Sequence, residues 1–218
     1  GDQFGYSVAI SDQLATIGAP YSDDFGTDCG MTYTYKRNGP SWYLYAVGYP
    51  DDPVADGRFG YAVSARYADA LVGSLGGDAS NQQGAAYLFD LGSGHWDQEH
   101  KFTVSPNLDG VSLGTSVALG DGQVILSAPS ARGQRGAIYS FHHQNGMWSE
   151  PLQMISSSDT VGAMFGNSVS CDQGWMATGA PDHSESGNSE MGAAFFFDLF
   201  RLDIQPAQPT AGQPLNMQ

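Results

Sequence analysis

The chain is poor in positive charge. Of its 218 residues 8 are Lys or Arg against 23 Asp or Glu, a formal net charge of −15. That balance supplies no basic stripe for nucleic acid phosphate and repels an anionic membrane surface. Cysteine is scarce as well: two residues, Cys29 and Cys171, cannot build a disulfide framework, and they leave the redox compartment open. No apolar run approaches the ~20 residues of a membrane span, so helical membrane insertion is not expected. A long apolar stripe of helical period with caps is missing too. The chemistry-bearing motifs are equally thin. There is no zinc-ligand spacing, and no phosphate or dinucleotide loop, since the glycines do not precede helices. No enzyme is predicted, and an enzyme domain with carboxylates at the mouth of a central channel is the less favoured alternative.

Glycine is abundant instead, 29 residues or roughly 13% against a usual ~7%. Aromatic content is 12%, so the excess reflects tight turns in a folded chain and not disorder. The glycines fall into a repeat. One phrase occurs as FGYSVAI from Phe4, FGYAVSA from Phe59, LGTSVAL from Leu113 and FGNSVSC from Phe165. A second follows each at constant distance: GAP at Gly18, GSL at Gly73, SAP at Ser127 and GAP at Gly179. A third follows as GMTYTY from Gly30, GAAYLF from Gly84, GAIYSF from Gly136 and GAAFFF from Gly192. A repeat of roughly fifty residues signals a stacked or radial architecture.

Each copy reads as four strands. In the first, Gly5 to Ile10 alternates with period two, and Ser11-Asp12-Gln13 turns the chain into a strand from Leu14 to Gly18 that Pro20 stops. A polar loop leads to Gly30 to Lys36, then the Asn38-Gly39 hairpin and Trp42 to Val47. In the fourth copy the outer strand is expected at Arg201 to Gln205. The fold class is therefore all-β, a β-propeller of four-stranded antiparallel blades. Blades are placed at about 1–50, 51–105, 106–156 and 157–205, and 206–218 reads as a Pro-rich linker or the start of a further module. In such blades the turns carrying Cys29 and Cys171 lie on opposite faces, so two separate thiols are expected.

The Phe-Gly and Gly-Ala-Pro phrases, with the strand-three aromatics and the Trp hairpin in order, resemble the FG-GAP repeat family. That family includes the head of integrin alpha subunits and many bacterial surface proteins. The resemblance runs from residue 1 to about 205 and is weaker at Leu113-Gly114, Ser127-Ala128-Pro129 and Gly73-Ser74-Leu75. It implies a propeller, usually of seven blades. Four are present, so a piece of a larger propeller, a closed four-bladed ring and a ring shared by two chains are all open; the piece is the favoured reading. The resemblance also implies an extracellular or cell-surface location and a role in adhesion. Calcium in this family sits in the hairpin between strands one and two. Here those hairpins, Ser11 to Gln13, Arg66 to Asp69, Gly120 to Gly122 and Asp172 to Gly174, are too short and too poor in carboxylates for such loops.

Candidate function falls on the loops between strands two and three and between blades, which share one face. Asp23, Asp24, Asp28, Asp51, Asp52, Asp56 and Asp182 are expected around it, with Trp175 as the aromatic whose exposure matters. Asp23, Asp24 and Asp28 form the candidate calcium site; otherwise no cofactor is expected. The partner would be a protein or a glycan at the loop face, with self-association or neighbouring domains of a longer chain as further options. Trp42, Trp96 and Trp148 share one repeat position and read as wedges between blades, or as stacking platforms if the protein were a lectin. His142 and His143 read as surface hairpin residues with opposed side chains.

Overall fold

The computed structural model describes residues 1–76, 83–92, 94–105, 112–156, 161–184 and 191–199. Those residues form separate antiparallel sheets in series, each a meander in which sequence neighbours pair. Blade 1 runs β1 (Ser7–Ser11), β2 (Leu14–Ala19), β3 (Met31–Asn38) and β4 (Ser41–Gly48). Blade 2 repeats it with β5 (Ala62–Arg66), β6 (Asp69–Ser74), β7 (Ala85–Asp90) and β8 (Asp97–Phe102). Blade 3 has β9 (Val117–Gly120), β10 (Gln123–Ala128), a helical turn α1 (Ala131–Gln134), β11 (Ala137–Gln144), and an outer edge split into β12 (Met147–Trp148) and β13 (Leu152–Met154). Blade 4 contributes β14 (Ser168–Asp172), β15 (Trp175–Ala180) and β16 (Ala193–Asp198). The expected outer strand at Arg201 to Gln205, the segment 206–218, and much of the second and fourth variable loops lie outside the described residues.

The local chemistry explains the pattern. Two-residue turns join the inner strands at Asp12-Gln13, Tyr67-Ala68, Asp121-Gly122 and Gln173-Gly174. Asp12, Tyr67 and Gln173 take left-handed φ values there, as tight hairpins require. Pro151 has no N–H to give and divides the outer edge of blade 3. At the corresponding place blades 1 and 2 carry register shifts, at Thr34/Tyr35 and Leu88/Phe89, so all three blades bend their outer strand at one position. The Phe-Gly pairs were expected at the start of strand one, which was read from Gly5 in the first copy. They occupy the turn before it, because Gly5, Gly60, Gly114 and Gly166 all have φ between 85° and 91°.

Neighbouring blades lock through those turns. Phe59, in the second Phe-Gly pair, donates its N–H to Cys29 O at 2.8 Å, and its backbone lies so close to Gly30 that no side chain fits there. Phe165 does the same to Arg135 O at 3.1 Å and to Gly136. Ser7 donates its hydroxyl to Gly60 O at 2.7 Å, and Gly18 presses on that same carbonyl. The repeated Phe, Gly and Gly-Ala-Pro residues are thus a main-chain clasp, and only glycine leaves room for it.

The core lies between sheets. Phe59, Val72, Tyr87 and Phe89 fill the first interface, Leu71, Leu88, Leu113, Val117 and Tyr139 the second, Ile125, Ile138, Phe165 and Phe195 the third. Burying each such side chain stabilises by roughly 1.5–3 kcal/mol. Trp96 closes on Gly48 of blade 1 and stacks edge-on to Phe89 at 4.7 Å; Trp148 meets Phe102 of blade 2 at 4.9 Å. These two rings are wedges, as expected. Trp42 holds the same position with no preceding blade beside it and is exposed.

The blades pack in series, β1 on β5, β5 on β9 and β9 on β14, and among the described residues β14 does not pack extensively on β1. Burial records the open ends. β1 half-hides Ser7, Ala9 and Ser11 and exposes Val8 and Ile10. β14 has the opposite phase, exposing Ser168, Ser170 and Asp172. The described residues therefore form an arc and not a closed four-bladed ring.

Candidate functional site: the loop face of blades 1 and 2

Pro20 ends β2, and the loop from Tyr21 to Cys29 folds on itself before β3. Asp23 organises it: its carbonyl accepts the Gly26 N–H at 3.1 Å and its carboxylate accepts the Asp28 N–H at 2.9 Å. The Ser22 hydroxyl donates to Asp24 at 2.9 Å, and Ser22 O accepts the Gly30 N–H at 3.0 Å. The chain entering blade 2 then bonds to this loop. Asp56, Arg58 and Phe59 donate their N–H groups to the carbonyls of Thr27, Asp28 and Cys29 at 2.8, 2.9 and 2.8 Å. Asp28, Asp56 and Arg58 adopt left-handed φ values of 49°, 60° and 52° to do so, a conformation that aspartate tolerates better than most residues.

The structure thus gathers Asp23, Asp28 and Asp56 around the loop junction. Burial first, and then the carboxylates of Asp23 and Asp56, raise the Cys29 thiol pKa above its ordinary value. Asp51 and Asp52 turn outward to β8. Gln98 accepts the Asp51 N–H at 3.1 Å, and Lys101 pairs with Asp52 at 2.6 Å. Asp182 stands exposed after Pro181 in blade 4, away from the others in the series of blades. Trp175 is exposed but belongs to the opposite end of its blade, paired with Asp172 across the β14–β15 hairpin. Among the described residues no three Asp, Glu, His or Cys side chains converge to hold a metal ion. Asp23 and Asp24 spend oxygens on the loop itself, so the three candidate calcium ligands do not form a cage.

The sequence reading missed the aromatic half of this face. Phe25 and Tyr49 stack with centroids 4.3 Å apart and both are exposed. Tyr6, also exposed, contacts Tyr61 at 4.8 Å and Tyr21 at 6.3 Å, and the Arg58 guanidinium lies 5.2 Å over Tyr21. The hydrogen bond with Tyr61, with burial behind it, pushes the Tyr6 phenol up to about 12. A signal was present: the third letter of the first phrase is Tyr in copies one and two but Thr115 and Asn167 in copies three and four.

The other end of the molecule is polar. Arg66, on the inner hairpin of blade 2, pairs with Asp121 of blade 3 and lies 3.7 Å from Asp172 of blade 4. The carboxylates are exposed, so the cluster contributes at most about 1 kcal/mol. His142 differs from expectation: it is buried, with Nε2 3.0 Å from the Ser140 hydroxyl, because its strand position faces the interior. His143 lies outside against Trp148 at 4.9 Å. Both cysteines are free.

Residues 1–35 match the FG-GAP repeat family. The matched stretch is the first Phe-Gly turn, the Gly-Ala-Pro strand end, the Asp23 loop and the first half of β3. No curated protein matches the chain.

Proposed function

We propose that this propeller-type module is a non-catalytic protein-interaction unit that binds a basic protein partner through the loop face of blades 1 and 2. One observation carries the reading: exposed Tyr6, Phe25 and Tyr49 stand beside Asp23, Asp28 and Asp56 on main chain fixed by the blade clasp. Exposed aromatic rings on a rigid frame supply contact area at low entropy cost, and surrounding carboxylates steer a cationic partner. Frame and recognition are divided in the usual way, between strands and loops. Adhesion at a cell surface suits such a module and its acidity, and forms part of the same proposal.

A lectin with one pocket per blade is less well supported, because Trp96 and Trp148 are consumed between sheets. The test is a panning experiment with a random displayed peptide library. Enrichment of Lys- and Arg-rich binders that lose affinity at least about tenfold on Phe25→Ala or Tyr49→Ala is the expected result. No enrichment, or binders indifferent to both substitutions, would sink the proposal.

A further inference from the structure

One cation of this acidic molecule has no counter-charge. Arg66 pairs with Asp121 and Lys101 with Asp52. Arg58 sits where the chain enters blade 2, at the internal joint with blade 1. No ion pair among the described residues includes it, although Asp56 precedes it by two residues and Asp28 O accepts its N–H. Its Nε is sealed from solvent without an acceptor, whereas the two terminal nitrogens reach solvent. The position is the one before each Phe-Gly or Leu-Gly pair. Gln3, Arg58, Ser112 and Met164 hold it, with left-handed φ values of 53°, 52°, 60° and 53°. The backbone repeats while the side chain changes, so packing does not dictate arginine there. A long side chain in that region is strained, and strain of this kind gathers at functional positions.

The surroundings add donors and no acceptor. The guanidinium lies 5.2 Å over the Tyr21 ring, which holds its plane. Tyr21 meets Tyr6 at 6.3 Å, and Tyr6 meets Tyr61 at 4.8 Å. The Tyr6 and Tyr61 hydroxyls share one hydrogen bond, which uses one of their two protons. The charge of Arg58 is felt at Tyr6, where it opposes the rise of the phenol, so cation and hydroxyl pair share one neighbourhood. A guanidinium fork with a phenolic proton beside it suits an anion. The total charge selects which anion. At −15 the molecule repels a dianionic phosphate or a nucleic acid. A single carboxylate carried on an otherwise basic chain meets no such barrier, and two terminal guanidinium nitrogens match its two oxygens.

We infer that Arg58, with Tyr6 and Tyr61 beside it, is a receptor for one carboxylate of the basic partner, while the acidic loop residues take the partner's cations. The partner's basic character rests on the loop-face reading above; the receptor rests on Arg58 and its neighbours. Its effect is register. A purely cationic chain slides along an acidic loop face, whereas one carboxylate on one guanidinium fixes where it stops.

An NMR titration of the whole chain tests the receptor without a partner. Sodium acetate is compared with sodium chloride at matched ionic strength, with the arginine Nε–H signals observed. Expected is a saturable shift of the Arg58 signal with acetate and none with chloride. A signal that ignores acetate, or follows both salts alike, overturns the inference. Three libraries of synthetic Lys- and Arg-rich octapeptides then supply the partner's context: capped at both ends with one central Glu, capped with Gln in its place, and carrying that Gln with a free C-terminal carboxylate. The wild-type chain should hold one or both carboxylate libraries at least about tenfold more tightly than the capped Gln library, and the better one names the source. Arg58→Gln should bring that ratio below about twofold. Gln3 already occupies the same left-handed position, and circular dichroism checks that the variant folds. Equal retention of all three libraries overturns the inference and leaves the loop-face reading standing, and a ratio that survives Arg58→Gln does the same. Retention of none, with acetate still saturating the Arg58 signal, sinks the loop-face reading and keeps the receptor.

Discussion

The same glycine means different things in different copies. Gly30 has φ +83° and lies against Phe59 backbone; Gly5 has φ +91° and open space. Gly5→Ala should cost about 1–2 kcal/mol of backbone strain alone. Gly30→Ala adds a collision with main chain that cannot swing away, and should cost more than about 3 kcal/mol in urea unfolding. Equal losses would refute the clasp. A second residue-scale test is alkaline. Burial pushes Cys171 up to about 11, and the Tyr61 hydrogen bond pushes Tyr6 up to about 12. Both groups hold their protons more tightly folded than unfolded, so stability is intact below about pH 9 and falls as pH rises through the folded values. Tyr61→Phe should return the Tyr6 titration, followed by phenolate absorbance, toward the ordinary ~10.

At the scale of the element, strand two shows how one position serves four environments. Leu14, Asp69, Gln123 and Trp175 are equivalent. Asp69 lies opposite Asp90 in the β6–β7 ladder, and burial, Glu99 and Asp90 raise its carboxyl pKa. A raised acid loses stability as pH climbs through the carboxylate range, so Asp69→Asn should gain a few tenths to about 1 kcal/mol at neutral pH, less at high salt. No change in melting temperature at low salt would contradict that reading. The strand order, the inner hairpins and the aromatic third strands were legible in the sequence, because a phase kept over four copies averages out local ambiguity. The burial of His142 beside Ser140 was not, since a residue next to a hairpin reads as exposed until the neighbours of its strand are placed. Nor was the Tyr6, Tyr21 and Tyr61 cluster, whose members come from three different segments.

At the scale of the molecule, sequence repetition concealed unequal surroundings. Copies one and four read like the middle copies, yet β1 and β14 invert each other's burial. No letter in either strand announces this; it depends on which neighbour is present. The loop face was legible as acidic, but the placing of Asp23, Asp24 and Asp28 was not, because ligand convergence depends on backbone turns at Asp23 and Asp28 that spacing alone does not reveal. Calcium titration should accordingly leave the melting temperature unchanged. A rise of several degrees would restore a cation to the loop junction.

The main-chain clasp has a mechanical corollary. Each sheet hangs on the next through a handful of carbonyls at one corner, so tension along the polypeptide would load those corners in turn. A molecule pulled from its termini in an optical trap should give way in discrete rips, outermost sheet first, each releasing about 180 Å of contour for a repeat of roughly fifty residues.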